Sequence, residues 1–268
     1  MCTALFFYNV HPSVLFLLAF NREEYQARPT APAHFWEEHP DLLAGKDLLG
    51  GGTWLGVTKR GRVAWLTNFR EPAYDRLKNA RSRGALPVDF LNGSLLPMEY
   101  LNTLKPEEYD GFNLCVVDLA AGKMAYMTNR GKGAAGSGPM ELEHRLYGLS
   151  NGVLQDRWPK VEKGKEMLQE LMSQQSFSDV GPAPWGTLFG SVMGDRSKVE
   201  DGSALPQTGM PAAVEQELSS IFVEPCNLGE GGEYGTRSQT VLLVYYDAHN
   251  MRHAAPRASN TTSAERKR

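Results

Sequence analysis

Cys2 is the residue whose position most directly suggests chemistry. Removal of Met1 would leave a thiol and a free α-amino group on one residue. An α-amine has a pKa of about 7.7 to 8.0, so a useful fraction is unprotonated at neutral pH and able to take the thiol proton during attack on a carbonyl. The structural alternative is a small buried residue opening an edge strand. Asn21-Arg22-Glu23-Glu24 is the second cluster, closing an apolar stretch that begins at Val14. If Thr3 to Asn9 and Val14 to Asn21 form a hairpin through the turn at 10–13, antiparallel pairing brings Asn21 and Glu23 to the end that holds Cys2, within about two residues. Its alternative is a solvated charged turn.

Asn68 follows the apolar segment Arg62 to Thr67, and Asn151 lies in Gly148-Leu149-Ser150-Asn151-Gly152. Asparagines at strand ends usually form turns, but their amides can also donate to a developing oxyanion. Arg237 precedes the most apolar late segment, where burial would require an acidic or carbonyl partner. Trp54 and the other four Trp suit core or pocket lining. Gly50-Gly51-Gly52-Thr53 resembles a phosphate cradle but has no following Lys-Ser/Thr, so it reads as a turn. The six His are dispersed, and His34 with His39 has no strong metal-ligand spacing. Neither a metal nor a cofactor is expected.

Strand pairs must position these groups. Thr53 to Thr58 and Arg62 to Thr67 flank Lys59-Arg60-Gly61, and Leu114 to Leu119 and Lys123 to Thr128 flank Ala120-Ala121-Gly122. Thr240 to Tyr246 is nearly all apolar and reads as a strand buried on both faces. Pro159 and Pro211 each open an amphipathic helical segment, the second carrying Val214, Leu218, Ile221 and Phe222 on one stripe. Shorter helices are expected at Pro87 to Leu91, Pro97 to Leu104 and Thr187 to Met193. Asp195 to Gly209 reads as a long loop, and 248–268 as a disordered basic tail after a single domain over 1–247. Strand pairs alternating with helices, without a βαβ rhythm, predict antiparallel sheets with helices packed outside.

The 268 residues carry 28 Lys+Arg against 31 Asp+Glu, a formal charge of 28 − 31 = −3, which disfavours an electrostatic nucleic-acid binder. Three Cys without a C-x-x-C pair support neither a disulfide framework nor a zinc knuckle, and fit a reducing compartment with the cytoplasm as default. The longest apolar run near the start, Val14 to Phe20, is far short of the roughly 18 to 20 residues that cross a bilayer.

Together these segments resemble a family. Met1-Cys2, Asn21-Arg22-Glu23-Glu24, Gly51-Gly52-Thr53-Trp54-Leu55-Gly56, Leu66-Thr67-Asn68, Tyr109-Asp110-Gly111-Phe112-Asn113-Leu114, Tyr147-Gly148-Leu149-Ser150-Asn151 and Tyr234-Gly235-Thr236-Arg237 match, in order, the NRDE-motif family of transport and Golgi organisation proteins. The resemblance implies an α+β, four-layer αββα sandwich similar to N-terminal-nucleophile hydrolases, notably the acylases of penicillin V and bile salts. It also implies roles. Cys2 would be the nucleophile, Glu23 the acid near its amine, Asn68 and Asn151 the oxyanion and amine-orienting groups, and Arg237 the residue that steadies the nucleophile, with Asn21, Arg22 and Trp54 lining the site. Two departures from the family pattern stand out. Glu23 replaces the family's Asp, and the pattern of a further strand after the Arg237 strand is missing from Met251 onward.

Two functions compete. One is a cysteine hydrolase acting on non-peptide amides of acyl groups. The other, drawn from the family's association with Golgi organisation, secretion and lipid or haem homeostasis, is a non-catalytic protein that binds and hands over a small hydrophobic metabolite. Peripheral contact with endomembranes and a Golgi or mitochondrial location follow from the same resemblance, and the oligomeric state stays open.

Overall fold

The computed structural model describes residues 2–72, 77–131, 138–174, 177, 183–228, 231–246 and 257–259. In chain order the strands are β1 (Cys2–Tyr8), β2 (Val14–Tyr25), β3 (Thr30–Phe35), β4 (Leu42–Asp47), β5 (Leu55–Thr58), β6 (Arg62–Asn68), β7 (Phe112–Asp118), β8 (Lys123–Thr128), β9 (Gly138–Glu141), β10 (Leu146–Leu149), β11 (Cys226–Asn227), β12 (Glu233–Tyr245) and β13 (Arg257–Ser259). The helices are α1 (Ala85–Asn92), α2 (Pro97–Thr103), α3 (Pro159–Ser173), α4 (Trp185–Thr187), which runs into a π-helical turn at Leu188–Val192, and α5 (Ala212–Glu217). The class is α+β, as expected. Two compact units share the chain: Met1–Ala27, His144–Ser150 and Asp156–Arg268 form the first, and Arg28–Glu143 with Asn151–Gln155 the second.

The first unit is an antiparallel sheet in the order β10-β1-β2-β12-β11, with β13 paired to β12. Strand alternation sends Leu5, Phe7, Leu17, Ala19, Val241 and Leu243 to one face, where they meet Leu168 and Leu171 of α3 together with Leu188, Val192 and Ile221. The other face is apolar too: Ala4, Phe6, Phe16, Leu18 and Phe20 are all buried. β1 is hydrogen-bonded on both sides, to β10 and to β2, so Cys2 does not open an edge strand. Val241 to Val244 are buried on both faces, as the unbroken apolar run predicts. The expectation of a disordered tail with no further strand after Met251 does not hold at 257–259, whose backbone forms β13 by hydrogen bonding to Val241 to Leu243 of β12, a pairing that needs no apolar pattern in the added strand; the rest of 247–268 lies outside the described residues.

The second unit is a meander, β3-β4-β5-β6-β7-β8-β9, in which every neighbour is antiparallel. Leu42, Ala44, Ala64, Leu66, Leu114, Val116 and Met127 cover one face against Leu86, Phe90 and Leu91 of α1 and Tyr100 and Leu101 of α2. Arg62 is tolerated in this buried position because each guanidinium nitrogen has a partner: it pairs with Asp118 at 2.9 Å, donates to the Phe90 and Leu95 carbonyls, and stacks 3.9 Å from the Phe90 ring centre. The outer strands β3 and β9 contain Pro32 and Pro139, residues that a sheet tolerates at its edge and that hide the strand signal in the sequence.

Tertiary bonding overrides the expected helix after Pro211. α5 stops at Glu217 because the next backbone groups serve other partners: Ile221 O accepts from Asn21, Phe222 N donates to Asp195 O, and Val223 N donates to Thr236 Oγ1. The glycine run at 50–52 is a turn, as expected. Gly51 has φ +73°, and a Cβ on Gly52 would stand 2.3 Å from the Gly84 backbone.

Glycine also sets how closely α3 approaches its sheet. A Cβ on Gly164 would lie 2.8 Å from Leu5 Cδ1 and 3.2 Å from Ile221 Cδ1, closer than real side chains pack. Gly164→Val should therefore destabilise the protein by about 1–3 kcal/mol by overpacking. A lowered denaturation midpoint is expected; an unchanged one would mean that α3 can shift away without cost.

Candidate functional site

Cys2 is 6% exposed and faces Arg22 directly in the β1/β2 register, with Thr3 facing Asn21. The hairpin that creates this register closes at a tight turn: Asn9 takes φ +54°, and His11 Nδ1 accepts from the Ser13 and Val14 amides. On the other flank of β1, Ser150 Oγ donates to the Cys2 carbonyl at 3.0 Å, fixing the peptide that carries the thiol. Pleating places Arg22 and Glu24 on the Cys2 side of β2, and the two form an ion pair at 3.7 Å. Asn21 and Glu23 alternate to the opposite side.

Asn21 is fully buried, and its amide donates to Met193 O at 2.8 Å and Ile221 O at 2.9 Å. It therefore ties the π-helical turn and the 221 segment to the sheet. Glu23 is 1% exposed; its Oε1 accepts from Thr236 Oγ1 at 3.4 Å, and its carbonyl accepts from the Tyr234 hydroxyl at 3.0 Å. Burial pushes the Cys2 thiol up to about 11, opposed by the positive amino terminus; the Glu23 charge raises it further, Arg22 lowers it and Glu24 raises it. Arg237 is the extra residue of a β-bulge, since Thr236 pairs with Glu23 and Ser238 with Arg22. A bulge re-aims its side chain, and the Arg237 guanidinium donates to Tyr25 O at 3.1 Å.

The asparagines belong to the second unit. Asn68 ends β6 opposite Phe112, and its carbonyl accepts from Asn151 Nδ2 at 2.7 Å. Arg70 N in turn donates to Asn151 O at 2.7 Å. Asn151 and Asn68 are thus neighbours, joined through the backbone of Asn68. Trp54 sits over Gly45, where a Cβ would be 2.5 Å from its ring, and its carbonyl accepts from Leu66 N. It packs within this unit's sheet.

In the first unit, then, Cys2, Asn21, Arg22, Glu23 and Arg237 gather at one end of three adjacent strands, and in the second Asn68 and Asn151 come together. Ser150, Thr236 and Asn113 also hold the groups around these residues, and each stands inside a motif that the sequence displays. Their signal was a polar residue in an otherwise buried strand context, which single-residue chemistry does not single out. Among the described residues, no three His, Cys, Asp or Glu side chains cluster as a metal site would require, and no helix is long and apolar enough to cross a membrane.

The family model described as Transport and Golgi organisation 2 matches residues 1–254. The Transport and Golgi organization protein 2 homolog of Homo sapiens is 34% identical over 263 residues, covering 93% of this chain and 90% of its own. The Bos taurus homolog is 33% identical over 262 residues with the same coverage. Among solved structures, the Caenorhabditis elegans N-acylethanolamine-hydrolyzing acid amidase ortholog aligns with a TM-score of 0.47 at 12% identity, over 67% of this chain and 87% of that one. By the match over residues 1–254 and the identity to these relatives, the chain belongs to the Transport and Golgi organisation 2 family.

Proposed function

We propose that the protein is a hydrolase of non-peptide amide C–N bonds with Cys2, freed of Met1, as its nucleophile. The observation that carries this reading is the setting of Cys2: a buried thiol at the head of an internal strand, opposite Arg22, with the buried Glu23 carboxylate acting on it. Arg22 and Glu23 keep their own partners, Glu24 and Thr236, and still place two opposite charges beside the thiol, where they act on its ionisation in opposite directions.

In the proposed reaction the α-amine of Cys2 takes the thiol proton as sulfur attacks the amide carbonyl, forming a C–S bond and a tetrahedral oxyanion. Collapse breaks the C–N bond, and the leaving amine takes the proton from the ammonium. Water then attacks the thioester, giving its proton to the amine, and C–S cleavage releases the acid and restores the thiol. Glu23 holds the ammonium form at the moment of attack. The resemblance assigns oxyanion stabilisation and orientation of the amine to Asn68 and Asn151, and a steadying role to Arg237. Glu23 has one methylene more than the family's Asp, and displacement of a catalytic group by about 1 Å can cost about a hundredfold in rate.

The raised thiol pKa favours a second reading for any protein that keeps Met1. With the thiol neutral and buried, the protein would act without catalysis, binding and handing over a hydrophobic metabolite, a lipid or haem, in support of Golgi organisation and secretion; such a role suits peripheral contact with endomembranes. Saturable titration with haem or an acyl lipid by the Cys2→Ala variant would support it, and flat spectra would oppose it.

A medium-chain fatty acyl p-nitroanilide should add one acyl group to Cys2, seen by mass spectrometry, and no group to Cys2→Ala. Native protein that takes up no acyl group across a range of chain lengths would contradict the hydrolase.

The pH dependence of alkylation is a separate check. In protein that retains Met1 the thiolate fraction at pH 7 is about one in ten thousand for a thiol at about 11, so iodoacetamide labelling of Cys2 should rise about tenfold per pH unit well above pH 9. The Glu23 charge raises the thiol pKa, so Glu23→Gln should move the profile to lower pH. A wild-type profile that levels off below about pH 9, or an unmoved one in Glu23→Gln, would contradict this electrostatic setting.

A further inference from the structure

Within the second unit, the segment that carries Asn151 rests on a buried hydrogen-bond network that the reaction just proposed does not use. Asn113 of β7, fully buried, donates from Nδ2 to Gly152 O at 2.9 Å and to Thr67 Oγ1 at 3.1 Å. Both amide hydrogens are thereby committed. Its Oδ1 accepts from the Tyr126 hydroxyl at 2.6 Å, and that hydroxyl oxygen accepts from Leu154 N at 3.2 Å. Tyr126 of β8 faces Cys115 on β7 and is 1% exposed.

The direction of these bonds matters. A hydroxyl that donates to Asn113 Oδ1 permits only one orientation of the Asn113 amide, the one that presents Nδ2 to Gly152. Asn151 O is meanwhile held by Arg70 N, and Asn151 Nδ2 reaches Asn68 O. Backbone groups of residues 151, 152 and 154 are therefore each fixed to the sheet. A strand core that merely needed filling would place apolar residues at Asn113 and Tyr126, as it does at the neighbouring Leu114 and Met127 on the other face.

We infer that Asn113 and Tyr126 are positioning residues for Asn151, orienting the amide that the proposed amidase uses at the developing oxyanion. The inference rests on that reading. Neither residue touches the reacting atoms; each acts through the backbone of 152 and 154.

Two Cys2 reactions separate this role from a general one. Acylation by the fatty acyl p-nitroanilide passes through an oxyanion, whereas alkylation by iodoacetamide is a displacement that forms none. Tyr126→Phe keeps the ring and its packing and removes only the hydroxyl, and Asn113→Ala removes the amide. Both variants should acylate Cys2 at least about tenfold more slowly than the wild type while alkylating at the wild-type rate, because a displaced donor loses most of its effect. In addition, the Asn151 side-chain amide resonances should shift in Tyr126→Phe. Equal loss of both reactions would overturn the inference, since the network would then serve the fold alone. Unchanged acylation in both variants, with Asn151→Ala slow, would also overturn it while leaving the amidase reading intact. A wild type that never acylates, with Asn151 resonances that shift in Tyr126→Phe, would reject the amidase and with it the catalytic purpose of the network, though not its hold on Asn151.

Discussion

Hydrogen bonding of β1 on both flanks is the constraint on which the proposed nucleophile depends. A residue next to a chain terminus ordinarily frays, and a frayed thiol has no defined angle of attack. Here β2 fixes Cys2 against Arg22, while β10 pairs from Ala4 onward and Ser150 bonds the Cys2 carbonyl. The apolar residues of β1 and β2 secure this pairing on both faces of the sheet. A one-residue slip would send Cys2 to the helix side and expose Leu5 and Phe7 to the wrong neighbours, so burial itself enforces the register.

Polar groups at the ends of these sheets are tolerated where hydrogen bonds hold them, as they hold the asparagine amides. Leaving a buried amide unsatisfied costs about 1–3 kcal/mol, comparable to a large part of a domain's margin of stability. Asn21 uses its amide on two carbonyls, Asn113 uses both hydrogens and its oxygen, and Asn151 bonds back to Asn68. The asparagines thus fold the loops around the strand ends. The bulge at Arg237 performs a related service, inserting one residue into β12 so that Thr236 meets Glu23 while the guanidinium turns to Tyr25.

Much of this was legible in the residues themselves. The hairpin that joins Cys2 to the Asn21–Glu24 quartet follows from two apolar runs and a Pro-containing turn, and strand alternation then dictates neighbours without further information. Less was legible where long-range bonds decide the outcome. α5 ends early because Asn21 and Thr236, far away in sequence, claim the backbone that an extended helix would have used. β3 and β9 were hidden by proline and by polar exposed residues, which an edge strand accepts and a periodicity reading rejects. Ser150 and Thr236 stayed unread for a similar reason: their value lies in a carbonyl and a carboxylate that only the folded register brings within reach.

The state of the amino terminus decides whether this geometry is an enzyme's. Intact-mass measurement and N-terminal sequencing of the protein purified from cells should find Met1 removed and the Cys2 amine unmodified. Retained or acetylated Met1 in the bulk of the protein would leave the thiol without its base and contradict the proposed nucleophile.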